Sequence, residues 1–318
     1  MKPTQVSVLP YDLIVGQDEL RRALEIAYVV PEIEGVLATG ERGTAKSTTV
    51  RAFSMMMLGR LPVTLPIGAT DDRVLGGWDI DKLLKGTNAL RSGLLEQAHS
   101  EEGGGLLYID EVNLLDDYLV NIILDAAAGG VLPVEREGID EQALSARFTL
   151  VGTMNPEEGH LRPQLLDRFG LVAMVTNEGS AEARRDILRN VLDFEADRGG
   201  RPVPRIEAAR QADRETRDRL VQARKAAEKL ETPDHIVSLC AAITAEFQAA
   251  GHRGDLTIAN AARALAAIGG EPEIRPAHVA AVVPPALVHR RASADAGAIV
   301  GWNAGDAERL AALIAAAE

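Results

Sequence analysis

The segment Gly40-Glu41-Arg42-Gly43-Thr44-Ala45-Lys46-Ser47 constrains this chain more than any other. It departs at one position from G-x-x-x-x-G-K-[ST], the pattern of a loop that cradles phosphate. Before it lies Glu34-Gly35-Val36-Leu37-Ala38-Thr39, which reads as a short buried strand; after it, Thr44 to about Leu58 reads as a helix. A strand that feeds a glycine turn and then a helix aims backbone N–H groups and the positive end of the helix dipole at one point. Gly40 to Thr48 are therefore expected to form the cradle, with Lys46 on the β- and γ-phosphates and the Ser47 hydroxyl helping to bind Mg²⁺. Ala45 stands where the pattern has glycine. A left-handed backbone there would cost alanine ~1 kcal/mol or more. At a helix opening right-handed geometry is adequate, and that geometry is expected. The plainer reading is a helix start after a chance turn.

Two further apolar runs end in polar groups. Leu106-Leu107-Tyr108-Ile109 leads into Asp110-Glu111. Burying a carboxylate at a strand end is costly unless a cation meets it. Asp110 is expected to hold Mg²⁺ through water, and Glu111 to polarise an attacking water. A strand that merely ends in solvent is the alternative, weakened by the loop upstream. Leu150 to Met154 leads into Asn155, suited to a γ-phosphate or water, although Asn before Pro156 is also an ordinary turn. Arg168 follows Leu165-Leu166-Asp167. A guanidinium there could stabilise phosphoryl charge across a subunit boundary, or simply pair with Asp167 or another acid.

At 318 residues the chain is long enough for about two domains. Helix through Leu20, Ala23, Leu24 and Ala27, strands near Val63-Thr64-Leu65, Val131–Val134 and Arg147–Val151, and a helix from Asp117 to Ala128 give an α/β first part. Residues 1–195 are assigned to it. Residues 196–232 read as a charged connection broken by Gly199-Gly200, Pro202 and Pro204, with a charged helix from Leu220 to Leu230. Residues 233–318 read as Ala-rich helices separated by Gly251, Gly269-Gly270, Pro284-Pro285 and Gly297. The net charge of −13 gives no general attraction to nucleic acid. Cys240, the single cysteine, excludes an intrachain disulfide and is expected to be buried. The six histidines show no metal-ligand spacing, and no G-x-S-x-G occurs. No leader-length or membrane-spanning apolar run is found, so a cytoplasmic location is expected.

Ile14-Val15-Gly16-Gln17, the loop ending Lys46-Ser47, Tyr108 to Leu115, and Gly152-Thr153-Met154-Asn155-Pro156-Glu157-Glu158-Gly159 with Leu161 to Gly170 together resemble the I subunit of magnesium chelatase, an AAA+ ATPase. The likeness returns at Arg253-Gly254-Asp255-Leu256-Thr257 and Ala261 to Leu265. It implies an AAA+ αβα P-loop domain with a parallel sheet and a C-terminal all-α lid. It implies that Ile14 and Val15 touch adenine, that Asn155 is sensor 1, that Arg168 is an arginine finger, and that Arg253 is sensor 2. Val131 to Phe148 would be the family's inserted β-hairpin. ATP and Mg²⁺ would be bound, in a ring that is commonly a hexamer. The partners would be a D subunit with an integrin-I-like domain and an H subunit that binds protoporphyrin. Three departures stand out: Ala45, a short Met57–Pro66 segment, and Asn260 in place of a second lid arginine. The short segment also resembles cobaltochelatase-associated ATPases, and the alanine MoxR-type ATPases. A ring scaffold that binds ATP without turnover is the non-enzymatic alternative.

Overall fold

In the computed structural model, residues 7–78, 82, 84, 90–100, 105–136, 139–291 and 299–317 are described. Residues 1–6, and Asp79, Gly103-Gly104, Glu137-Gly138 and Gly297, lie outside the described residues. In chain order the first elements are α1 (Asp18–Val29), β1 (Val36–Thr39), α2 (Lys46–Leu58), β2 (Val63–Leu65), α3 (Asp71–Leu75), β3 (Gly77–Trp78), β4 (Leu90–Arg91) and α4 (Leu94–Ala98). There follow β5 (Gly105–Ile109), α5 (Asp117–Gly129), β6 (Val131–Arg136), β7 (Ile139–Ser145), β8 (Phe148–Met154), α6 (Pro163–Leu166) and β9 (Leu171–Met174). The rest is helical: α7 (Ala181–Arg198), α8 (Pro204–Ala227), α9 (Asp234–Glu246), α10 (Arg253–Ile268), α11 (Pro276–Leu287) and α12 (Ala304–Ala317).

Five strands form one parallel sheet in the order β2-β5-β8-β1-β9. Strands in such a sheet are covered on both faces, which is why β1, β5 and β8 read as unbroken apolar runs. All residues of β1, β5 and β8 are buried. Alternate side chains go to opposite layers. Val36 and Ala38 join the core of α1 and α2, while Leu37 joins the core of α5. The first core continues without a break into the lid through Leu220, Ile236, Ile258 and Val279. Fully burying each such aliphatic side chain contributes ~1.5–3 kcal/mol. The expected hairpin is present as the antiparallel pair β6–β7, with Val131 opposite Ser145 and Arg136 opposite Ile139.

Two expectations are corrected. The stretch 196–232 is not a broken connection. Pro204 opens the 24-residue helix α8, and only 199–203 separate it from α7. Proline suits the first helical position because its missing N–H would be unpaired there anyway. The charged helix read as Leu220–Leu230 is the end of α8, and Leu220 is buried. Second, Pro284-Pro285 do not separate helices but lie inside α11. An interior proline costs roughly 3 kcal/mol. The helix persists because Val282, Val283, Ala286 and Leu287 on either side are all fully buried. Cys240 is buried as expected, and burial pushes its thiol up to about 12.

Candidate active site

Open parallel sheets bind ligands beyond the carboxyl ends of their strands, where the chain order reverses. Here that place is β1, flanked by β8 and β9. The register aligns Thr39 with Met154 on one side and with Met174 on the other. Gly40, Asn155 and Val175 therefore leave the sheet at one level. Gly40 N–H donates to the Met154 carbonyl at 3.2 Å, and its φ is +154°. A Cβ there would collide with the Val175 carbonyl oxygen, so only glycine lets the loop start so close to β9.

The expected right-handed geometry at Ala45 is overturned: φ is +62° and ψ +16°, the left-handed region. The helix accordingly begins at Lys46, two residues later than the sequence suggested. The Ala45 carbonyl accepts from Thr49 N–H at 2.9 Å and from the Thr49 hydroxyl at 3.0 Å, which fixes this turn. Lys46 Nζ donates to the Gly40 and Glu41 carbonyls at 2.5 and 2.7 Å. Its pKa is lowered by burial, an effect opposed by Asp110, Glu111 and Glu41.

Around Asp110 lies a compact hydroxyl network. Tyr108 OH donates to Asp110 Oδ1 at 2.7 Å and lies 2.8 Å from Ser47 Oγ. Thr153 Oγ1 donates to the same Oδ1 at 2.6 Å, and Ser47 Oγ is 3.5 Å from it. Thr153 Oγ1 also accepts Glu111 N–H at 3.1 Å. That bond anchors Glu111 at φ +55°, a strained setting for a residue with a Cβ and one found at functional sites. Burial, with the Asp110 carboxylate also opposing ionisation, pushes the Tyr108 phenol up to about 12, so it stays a donor. Sequence reasoning missed Tyr108 and Thr153. The signal was present: each is the one hydroxyl side chain near the end of an otherwise apolar strand, and Tyr108 shares a face with Asp110 two residues on.

Arg42, Gly43 to Thr48, Asp110, Glu111, Thr153 and Asn155 line one cleft of about 410 Å³. Asn155 is buried, and its Oδ1 accepts Glu157 N–H at 3.2 Å, leaving the amide N–H₂ to face a ligand. The turn bond is thus present, and the same side chain lines the cleft. Arg42 forms an ion pair with Glu158 and lies 4.0 Å from Glu111. A second pocket, of about 360 Å³, shares Gly43, Thr44, Ala45 and Thr48 with the first, and its wall includes Ile14 and Val15. Asp213, from α8, accepts the Tyr11 and Asp12 N–H groups at 2.9 and 2.8 Å and so holds the turn preceding Ile14. Asn190 donates to the Leu13 carbonyl at 2.8 Å from the other side. Neither Asp213 nor Asn190 carries a sequence signal for this role.

Arg168 is not in the cleft of its own chain. It pairs with Asp125 at 2.6 Å and reaches the Asn121 carbonyl at 3.4 Å, both on α5. Arg253 does not line the cleft either; it lies 3.6 Å from Asp167, beside Arg168. Mg-ATP can be tested against these residues. Ser47 and Asp110 offer hard oxygen donors of the kind Mg²⁺ takes. The Asn190 Oδ1 and Gln17 Oε1 acceptors are buried without a partner on the wall of the second pocket, and an adenine amino group is a donor. The donor sets fit. Among the described residues no cluster of His, Cys, Asp and Glu is arranged to hold any other metal, and no helix is long and apolar enough to cross a membrane.

Residues 35–169 match the family model described as AAA domain (dynein-related subfamily), and residues 237–300 match the AAA lid domain. The chain is 41% identical to the magnesium-chelatase 38 kDa subunit of Acidiphilium rubrum, over 90% of this chain and 91% of that one. It is 38% identical to the chloroplastic magnesium-chelatase subunit ChlI of Nicotiana tabacum, over 91% and 75%. It is also 43% identical to an uncharacterized protein of Mycobacterium tuberculosis, but spans only 44% of that protein's length. Among solved structures, a cryo-EM-based complex between subunits BchI and BchD of magnesium chelatase matches with TM-score 0.50 at 37% identity, covering 91% of this chain and 98% of that one. A crystal structure from Cytophaga hutchinsonii, 16% identical with TM-score 0.61 over 88% and 84%, shares the fold alone. With the parallel sheet, phosphate loop and helical lid already in view, these matches lead to one conclusion: the chain belongs to the magnesium-chelatase I-subunit family of AAA+ ATPases.

Proposed function

We propose that this chain is the ATP-hydrolysing motor subunit of a chelatase, driving magnesium insertion into protoporphyrin IX together with D- and H-type subunits. One observation carries the reading. Lys46, Ser47, Asp110, Glu111 and Asn155 converge on a single cleft, while Arg168 faces away from it toward α5. The cleft therefore has its phosphate grip, its metal carboxylate and its base, and takes its finger from a neighbour in a ring. A hexamer in the cytoplasm is the arrangement this reading favours.

The chemistry is phosphoryl transfer to water. Lys46 and the N–H groups of residues 43–48 hold the phosphate chain. Ser47 and Asp110 hold Mg²⁺, which neutralises phosphate charge when bound. Tyr108 and Thr153 fix the direction of the Asp110 carboxylate by donating to Oδ1. Glu111 accepts the proton of the attacking water, and the Asn155 amide N–H₂ orients that water or the γ-phosphate. Arg168 of one protomer meets charge on the phosphoryl group held by the next. Ile14 and Val15 pack on the base. Arg253, at the start of the lid helix α10 and facing Asp167, serves as the sensor 2 arginine.

The deciding experiment mixes the purified protein with candidate D and H subunits, ATP, Mg²⁺ and protoporphyrin. ATP-dependent insertion is expected, with none when Glu111→Gln replaces the wild type. No insertion into any tetrapyrrole, or undiminished turnover by Glu111→Gln, refutes the reading.

A further inference from the structure

The guanidinium of Arg290, just beyond the end of α11 in the lid, is 1% exposed. Arginine has five N–H donors in a rigid fork. All five are used. Nε donates to Asp167 Oδ1 at 3.1 Å, Nη2 to the Asp167 and Phe169 carbonyls at 2.8 and 2.9 Å, and Nη1 to the Gly170 and Ala286 carbonyls at 3.0 and 2.8 Å. Only the Ala286 bond stays within the lid. The other four grip the three residues that surround Arg168 on its loop. His289 adds a contact from Nε2 to the Phe169 carbonyl at 2.8 Å, and Arg253 faces Asp167 Oδ2 at 3.6 Å. Phe169 is itself fully buried against the sheet. The backbone on both sides of Arg168 is thus pinned by the lid, and its side chain is aimed along α5 toward Asp125.

We propose that Arg290 is the positioning residue for the finger: through this clamp the lid of one protomer sets where its own Arg168 points, and so governs hydrolysis in the adjacent protomer. The inference rests on the reading that Arg168 acts across a subunit boundary. A tie that only fastened the lid to the sheet would not need to bracket one arginine with backbone bonds before and after it. The geometry also gives the direction of coupling. A shift of the lid moves the Asp167–Gly170 loop directly, whereas none of the residues in the clamp lines the protomer's own phosphate cleft. Lysine cannot replace the clamp, because a single ammonium cannot reach acceptors spread around a planar fork.

The test is complementation in mixed rings. Arg290→Lys supplies an intact catalytic cleft with a misdirected finger; Glu111→Gln supplies an intact finger with a dead cleft. Alone, Arg290→Lys is expected to lose at least about tenfold in kcat with KM for ATP unchanged, since the finger acts on the transition state. An equimolar mixture with Glu111→Gln should turn over ATP several-fold faster than either alone. Arg168→Ala mixed with Glu111→Gln is the control. If the control recovers and the Arg290→Lys mixture does not, or if Arg290→Lys alone keeps wild-type turnover, the clamp is structural and the proposal is wrong while the finger reading stands. If the control itself fails, the finger reading falls and takes the proposal with it. Should Arg290→Lys not fold, His289→Ala in the same mixing decides: recovery supports the clamp, and normal turnover or no recovery overturns it.

Discussion

Replacing Ala45 by glycine should stabilise this protein. Ala45 has φ +62° and ψ +16°, and its methyl is exposed, so glycine loses no packing. An L-residue in that region crowds its Cβ against the following carbonyl, at a cost of about 1–2 kcal/mol. Glycine removes the crowding but enlarges the conformational freedom of the unfolded chain, which offsets about 0.4–1 kcal/mol. The net gain is then about 0.5–1 kcal/mol. For a chain of this size that raises Tm by roughly 1–2 °C. The bonds from Thr49 to the Ala45 carbonyl do not involve the methyl and hold the loop in place in both proteins. Calorimetric melts of wild type and Ala45→Gly, without nucleotide and at one protein concentration, measure the difference. A lower midpoint for the glycine variant would show that the turn is not left-handed at this residue, and the argument from backbone strain would fail.

Other predictions follow from the same geometry. Tyr108→Phe removes one hydroxyl bonded to a carboxylate, worth about 1.5 kcal/mol, and should raise the Mg²⁺ concentration for half-maximal ATPase about tenfold. An unchanged Mg²⁺ dependence would count against the hydroxyl network. Gly40→Ala drives a Cβ into the Val175 carbonyl and should weaken binding of a fluorescent ATP analogue at least about tenfold, the equivalent of roughly 1.4 kcal/mol. Wild-type affinity would mean that the cradle tolerates a shift away from β9. Burial, followed by the charge of Arg290, holds the pKa of His289 well below its usual value. As pH falls through about 6.5 the unfolded chain takes up a proton there and the folded chain does not, so stability present above that pH is lost below it. Urea titrations at a series of pH values should show a shallower acid-side loss for His289→Gln than for wild type. Parallel profiles would mean that His289 titrates freely in the fold.

The parts of the site that the sequence revealed are those where chemistry and local pattern coincide. Lys46 and Ser47 follow a strand and a glycine, and Asp110 and Glu111 end a strand that has no other reason to carry charge. Those features are local, and parallel pairing brings them together without further instruction. The α1 face at Leu20, Ala23, Leu24 and Ala27 is readable for the same reason, whereas the hairpin comes from the family resemblance alone, the pattern showing no strand where β7 runs. What was not readable depends on distant chain segments or on backbone angles. No pattern announces that Asp213 will cap the Tyr11 turn, or that Arg290 will meet Asp167 across 123 positions. The left-handed turn at Ala45 is set by the loop as a whole, and an alanine conceals it. Pro204 misleads because prolines and charges together read as a breaker, whereas position decides: at the first turn of a helix proline is favourable. Pro284-Pro285 mislead in the opposite sense, since packing on both sides outweighs the two missing donors.

The Asp213 cap has a consequence for where this protein can be cut. Ile206 and Ala209 pack with Leu13 in a small cluster of their own, a short way along the same helix. The turn that leads Ile14 and Val15 into the second pocket is thus held by a segment that follows the α/β unit in the chain. A fragment that stops after α7 keeps every residue lining the phosphate-loop cleft yet loses the clasp on the turn beside the second pocket. The shape of that pocket is in this sense a property shared by the two halves, and neither half is a portable module.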